Sequence, residues 1–271
     1  MVVYAGQGDA HRSMALLWRT AESGQVRTGP GPKPGLSVDL IVDTAIAVAD
    51  AEGMAALSMR AVGERLGRTA MALYTYVPSK SELVDLMYDR ALAELPTGYE
   101  RGAGWRAATT AWAEDTWAFY LRHPWVLQVS QARPVLGPNE YVTLETLLGV
   151  LRDTGLEAGV LRRLVGTLFH FVRGAAQTIA ESRQAATATG VSDEEWWFAR
   201  SALLAQVAPD FAERFPMVTW LQRCQSEEWE AASDDTVPYL DREARKTFEA
   251  GLAVVLDGIE VAVTGASGSS L

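Results

Sequence analysis

Residues 58–80, SMRAVGERLGRTAMALYTYVPSK, carry two short helical patterns that meet at Gly67, and the second runs straight into an aromatic turn and a lysine. In the first, Met59, Val62 and Leu66 recur at helical spacing while Arg60 and Glu64 point outward. Gly67 stands where a glycine best accepts the left-handed backbone that closes a helix. The second pattern, from Thr69 to Tyr76, is too short to be stable alone and has Leu73 as its main inward anchor. Neighbouring helices must therefore brace it, which leaves its other face free to enter a DNA groove.

The flanks supply that bracing. Ser37 caps a predicted helix that runs to Glu52, keeps Ile41, Ala45, Val48 and Ala49 inward and ends at Gly53. Ser58 is a second cap. Pro78 stops the short helix, and Ser79-Lys80-Ser81-Glu82 reads as a capping box for a longer helix with Leu83, Leu86, Met87, Ala91 and Leu95 along one side.

The run ALSMRAVGERLGRTAMALYTYVPSKSELVDLM resembles the tetracycline-repressor (TetR) family of one-component regulators, with the likeness covering residues 37 to about 95. The resemblance implies an all-α chain in three parts. Residues 1–36 are an N-terminal extension or arm, 37–95 a three-helix helix-turn-helix DNA-binding domain, and 96–271 a larger helical domain for ligand binding and dimerisation. It further implies a homodimer on a palindromic double-stranded operator, usually repressing, and released by a small organic effector. Carried over residue by residue, Ser58 and Arg60 fall where the first helix meets the DNA backbone. Thr69, Ala70, Met71 and Ala72 form the exposed first turn of the recognition helix, Tyr74, Thr75 and Tyr76 end it, and Lys80 is a phosphate clamp. Ala70 and Ala72 depart from members that place Gln or Thr there. Readout then rests on methyl contacts to thymine, on Arg60, Arg68 and Thr75, and on DNA shape.

Charge agrees with this division. The first 80 residues hold eight Lys/Arg and seven Asp/Glu, a balance of +1, and the remainder sixteen against twenty-seven, a balance of −11, which together give the net −10. The N-terminal part alone is electrostatically able to approach phosphate, and with so few cations a useful affinity calls for two copies. No apolar run is long enough to span a bilayer and MALLW at 14–18 is too short for a signal sequence, so a cytoplasmic protein without membrane contact is expected. The single Cys224 excludes an intrachain disulfide, and His11, His123 and His170 lack metal-ligand spacing. No cofactor, metal or catalytic residue is expected.

Within the extension, VRTGPGPKPG at 26–35 is rich in Gly and Pro and holds Arg27 and Lys33. It reads either as a basic arm for the adjacent minor groove or as a tail without a DNA role. Met14, Leu16, Leu17 and Trp18 indicate a short helix that docks on the protein.

Past the loop at PTGYERGAG, where the domain boundary is placed, a helix carries Trp105, Ala108, Thr109, Trp112, Thr116, Phe119 and Tyr120 at helical intervals and stops before His123-Pro124. Helices are expected from Asn139 to about Arg152, Leu156 to about Ala186, Ser192 through Leu204 and Asp241 to about Val263, with a looser segment up to Pro238. The 156–186 and 241–263 helices are the expected dimer pair, with Gly166, Gly174, Gly251 and Gly258 permitting close approach. His170, Arg173 and Gln177 form a polar line at i, i+3, i+7 that faces solvent, crosses the dimer seam or lines a cavity. In the last case they orient a ligand stacked by Trp112, Phe119, Trp125, Phe169 and Trp197, with Thr116 on the same helical face. Ordinary core packing of the aromatics is the competing reading.

Three functions compete on these grounds. The first is a ligand-responsive homodimeric regulator, a repressor of the family type, answering to a largely apolar or aromatic molecule. The second is a DNA-binding regulator governed by a protein partner. The third is an enzyme, for which the chain offers no nucleophile elbow, metal spacing, phosphate loop or dinucleotide fingerprint.

Overall fold

Hydroxyl side chains begin the helices between residues 37 and 95. Ser37 accepts from the Leu40 N–H, Ser58 from Ala61, Thr69 from Ala72, and Ser79 from Ser81 and Glu82. Each satisfies a donor that the helix itself leaves unpaired. The Glu82 carboxylate turns back onto the Ser79 hydroxyl rather than its amide, so the expected capping box is only half made.

The computed structural model describes residues 2–19, 35–231 and 239–268. Among these every regular element is helical: α1 (Ala10–Leu17), α2 (Val38–Glu52), α3 (Met59–Arg65), α4 (Ala70–Tyr74), α5 (Lys80–Leu92), α6 (Gly104–Arg122), α7 (Pro138–Leu151), α8 (Ala158–Thr189), α9 (Asp193–Val207), α10 (Phe211–Arg214), α11 (Pro216–Ala231) and α12 (Tyr239–Gly268). A short 3-10 helix, Pro124–Gln128, follows α6. The chain forms two compact units, residues 1–177 with 251–271, and residues 178–250.

In the first unit α2, α3, α4 and α5 share a core of Ile41, Leu57, Val62, Leu73, Val77, Leu83 and Met87, all essentially inaccessible. Gly67 ends α3's turn at φ 63°. Gly63 is the tighter constraint. Its carbonyl accepts the Arg68 N–H at 2.8 Å, and a Cβ there would lie 2.7 Å from the Arg68 carbonyl oxygen.

α5 buries three carboxylates on one side, Glu82, Asp85 and Asp89. Asp89 accepts from the Asn139 N–H (2.9 Å), the Asn139 Nδ2 (2.8 Å) and the Glu140 N–H (3.1 Å), so a carboxylate of α5 sits on the N-terminal turn of α7, where the helix dipole favours it. A side chain at Gly137 would overlap Asp89. Asp85 accepts from the Gly6 N–H at 3.1 and 3.2 Å. The first part of the expected extension is thus docked on the protein: Ala5, Ala15, Leu16 and Leu17 are buried, and Val3 forms a single β-bridge with Val129.

Within the first unit α8 crosses α12 closely. A Cβ on Gly251 would stand 2.6 Å from the Phe171 ring, so this glycine serves packing inside one protomer, whereas Gly166, Gly174 and Gly258 face open space. In the second unit α9 opens with a complete Ser192–Glu195 capping box. The segment expected to be loose holds α10 and α11 instead. Pro216 is the first residue of α11, where its missing N–H costs nothing.

Two outcomes follow. Gly63→Ala must push the turn before α4 outward, and a loss of about 1–3 kcal/mol in urea unfolding is expected. Burial raises the Asp85 carboxyl from 3.8 to about 6, opposed by the Gly6 N–H and reinforced by Glu82 and Glu140. A carboxyl raised on folding contributes stability that is complete below pH 3.8 and is lost as pH rises through about 6. The melting temperature of Asp85→Asn, minus that of the parent, should therefore climb across that window when followed by calorimetry.

Candidate nucleic-acid interface

α4 is five residues long and owes its position to one side chain. Leu73 is fully buried, and Val77 just beyond it is equally so, while Met71 is 74% exposed and Tyr74 40%. Arg60, Arg68, Thr69, Thr75 and Lys80 are exposed, and Ser58 and Tyr76 are half-buried. Tyr76 is held by its N–H on the Leu73 carbonyl at 2.9 Å. The polar and aromatic side chains of the turn, of α4 and of the start of α5 thus lie outward around a buried leucine.

The local charge is lightly held. Arg60 pairs with Glu64 one turn away at 2.8 Å, with both side chains mostly in solvent, so the pair is weak. Arg65 pairs with Glu52 at 2.5 Å. Arg68 and Lys80 form no ion pair among the described residues. Gly35, entering α2, passes close to Arg68, with its Cβ position 3.3 Å from that guanidinium. Arg27 and Lys33 lie outside the described residues.

The ligand candidates are distributed differently from their spacing in sequence. Trp112, Thr116 and Phe119 share one buried face of α6, and the Phe169 ring meets Trp112 edge-on at 5.0 Å. The Trp112 Nε1 and the Thr116 hydroxyl, one turn apart, are both buried without a hydrogen-bond partner among the described residues. Trp125 is buried but satisfied, donating to Asp50 at 2.8 Å. The polar line on α8 is divided. His170 and Gln177 are exposed, while Arg173 donates to the carbonyls of Val126, Leu127 and Val129 at 3.4, 2.5 and 2.8 Å and lies over the Tyr120 ring. Arg173 thereby caps the 3-10 helix, because a buried carbonyl cluster needs a donor more than α8 needs a polar stripe. Trp197 belongs to the second unit and is 56% exposed.

A junction that spacing does not reveal joins α2 to the end of α6. The His123 ring lies between Asp50 (2.8 Å) and Glu94 (3.1 Å), and Arg122 reaches Glu94 at 2.6 Å. Burial alone would raise the Glu94 carboxyl, but hydrogen bonds from His123 and Arg122 outweigh it and hold it below its usual value. The signal available in sequence is a histidine immediately before a proline at a helix end.

Comparison with known proteins agrees with this geometry. Residues 41–87 match the description "Bacterial regulatory proteins, tetR family", and residues 97–263 match "Tetracyclin repressor-like, C-terminal domain". The chain is 40% identical over 269 residues, 98% of its length and 91% of the relative's, to a protein of Streptomyces coeruleorubidus named HTH-type transcriptional repressor DrrR1. Among solved structures, apo ActR of Streptomyces coelicolor superposes with TM-score 0.65 at 23% identity, covering 87% of this chain and 100% of that one. ActR in complex with actinorhodin gives 0.64 at 26%, covering 86% and 99%. Among the described residues no helix is long and apolar enough to cross a membrane. The protein belongs to the TetR family of bacterial regulators.

Proposed function

We propose that this chain is a homodimeric repressor that holds a palindromic operator through α3, α4 and the start of α5 and releases it when a largely apolar or aromatic molecule binds beside α6. The observation that carries the reading is the asymmetry of α4, with Leu73 fully buried and Met71 74% exposed on a helix too short to exist for its own packing. Residues 37–95 are the DNA-binding part in this reading and 96–271 the part that binds ligand and partner. A relative 40% identical over nearly the whole chain bears the name of a repressor, and ActR, at 26%, is solved with actinorhodin.

A second copy is supported by the outer faces of α8 and α12. Val254 and Val261 stand one heptad apart on α12, each 71% exposed, with the open Gly258 between them. On α8, Thr167, His170 and Gly174 are exposed in register, so His170 belongs to a seam between copies in this reading. Two copies place two recognition helices on half-sites one turn apart, which a single α4 cannot do.

A ligand site is supported by the Trp112 Nε1 and the Thr116 hydroxyl. Buried polar atoms without partners are rare because each costs about 1–3 kcal/mol. A flat apolar ligand with a carbonyl or hydroxyl at its edge would satisfy both.

Two tests separate DNA from ligand. On duplex selected from a random pool by the protein itself, Lys80→Ala should weaken binding evenly across sequences and reduce the salt slope by about 0.9 for each phosphate that is no longer neutralised. Met71→Ala should change the selected sequence; retention of both affinity and sequence in these variants refutes the interface. Thr116→Val should melt at a higher temperature than the parent and, with actinorhodin as first probe, show at least tenfold weaker release of that duplex. A variant neither more stable nor less responsive removes Thr116 from the site.

A further inference from the structure

The N-terminal segment does more than rest on the surface, because its contacts alternate between the DNA-binding helices and the helices behind them. Val3 pairs its backbone with the end of the 3-10 helix and the residues just after it, donating to the Gln128 carbonyl at 2.8 Å and accepting from the Ser130 N–H at 2.7 Å. Three residues on, the Gly6 N–H reaches Asp85 of α5. Gly8 then passes so close to Glu82 of α5 that a side chain there would overlap its carboxylate. α1 follows, capped by Asp9, with Leu16 and Leu17 buried.

At its end the segment crosses over again. The Trp18 indole donates to the Leu136 carbonyl at 3.0 Å and its ring stands 6.1 Å from Tyr141 of α7. Leu136 is a non-glycine residue at φ 61°, and its N–H is held by Glu140 at 2.7 Å, so Trp18 fastens a strained turn that leads directly into α7. Arg19 returns to the DNA-binding side and pairs with Asp39 of α2. Beneath α1 a cavity of about 330 Å³ lies among Leu16, Leu17, Val42, Leu86 and Pro138. The buried Ala15, Leu16 and Leu17 pack beside this cavity, and Trp18, Arg19 and Asn139 stand among its lining, so apolar burial and polar fastenings together attach the segment.

We propose that residues 2–19 form a clasp that fixes the orientation of α2–α5 relative to α6 and α7. The segment touches α2 and α5 on one side and residues 128–141 on the other, so the DNA-binding helices cannot pivot about the end of α5 without breaking Gly6–Asp85, Val3–Ser130 or Trp18–Leu136. The clasp is a property of the single chain and does not depend on which duplex or effector the protein takes.

The test measures orientation directly. Spin labels are attached at Ala55→Cys, in the exposed turn before α3, and at Glu145→Cys, on the exposed side of α7, in a Cys224→Ser background. Labelled full-length chain is diluted into excess unlabelled protein so that only distances within one chain are recorded by pulsed dipolar spectroscopy. Two variants are compared with this parent: deletion of residues 2–8, which leaves α1 and its Asp9 cap in place, and Asp85→Ala in the otherwise intact chain. At least a twofold broadening of the distance distribution in both, with helical circular dichroism unchanged, is expected. A distribution of parental mean and width in either folded variant overturns the clasp.

Discussion

Three carboxylates buried on α5 set the frame on which the DNA-binding helices hang. Glu82, Asp85 and Asp89 are each at most 5% exposed, and a charge or unpaired polar group taken out of water costs several kcal/mol unless donors meet it. The donors come from far along the chain: the Gly6 N–H for Asp85, and the first-turn amides of α7 for Asp89. Both attachments demand glycines, Gly8 beside Glu82 and Gly137 beside Asp89. Burial raises the pKa of Asp85, Asp89 and Glu140 alike, so the cluster is under electrostatic tension that its hydrogen bonds only partly relieve. Such a cluster tolerates one arrangement of its donors well and others poorly. This makes it a better fixture than an apolar contact, which tolerates sliding.

The same burial changes what the protein's acidity means. A net charge of −10 is unpromising for a molecule that approaches phosphate. Some of that charge is withdrawn into the seam between helices, and much of what remains on the DNA-binding side is answered locally, Glu52 by Arg65, Glu64 by Arg60, Asp43 by Arg90 and Asp39 by Arg19. The local field near α4 is therefore governed by exposed cations such as Arg68 and Lys80 more than by the total.

Much of the fold is legible in the sequence because local rules govern it. Caps at Ser37, Ser58 and Ser79, the stop at Gly67 and the apolar rows of α2, α6, α8 and α12 all express themselves within a few residues. The seam does not. Acids at 82, 85 and 89 have the spacing of an ordinary solvated helix face, and their partners stand 79 residues away at Gly6 and 50 away at Asn139. Periodicity assigns residues to a face but is silent on what lies opposite, which is why spacing groups His170, Arg173 and Gln177 while α8 separates them. Gly63 is opaque for the same reason. A glycine inside a seven-residue helix is costly, and the backbone of residues 68–70, the Arg68 carbonyl closest, explains it.

The two sides of the DNA-binding helices are anchored to different parts of the molecule. α5 is held by the N-terminal segment and α7, whereas α2, besides its exposed Asp39–Arg19 pair, is held by Asp50, which takes hydrogen bonds from His123 and Trp125 just past the end of α6. Phe119 lies on the same face of α6 as Trp112 and Thr116, and its ring is 5.3 Å from that of His123. In the proposed function a ligand beside Thr116 acts only through its different affinities for two arrangements of these helices. A small axial shift of α6 would move the anchor of α2 while the anchor of α5 stays with α7. Displacing one side of a rigid four-helix unit while the other is held produces a rotation, and rotation is the motion that takes paired recognition helices out of register with successive grooves. The carboxylate seam on α5 and the N-terminal clasp fastened to it are, in that account, the restraint against which a displacement at His123 works.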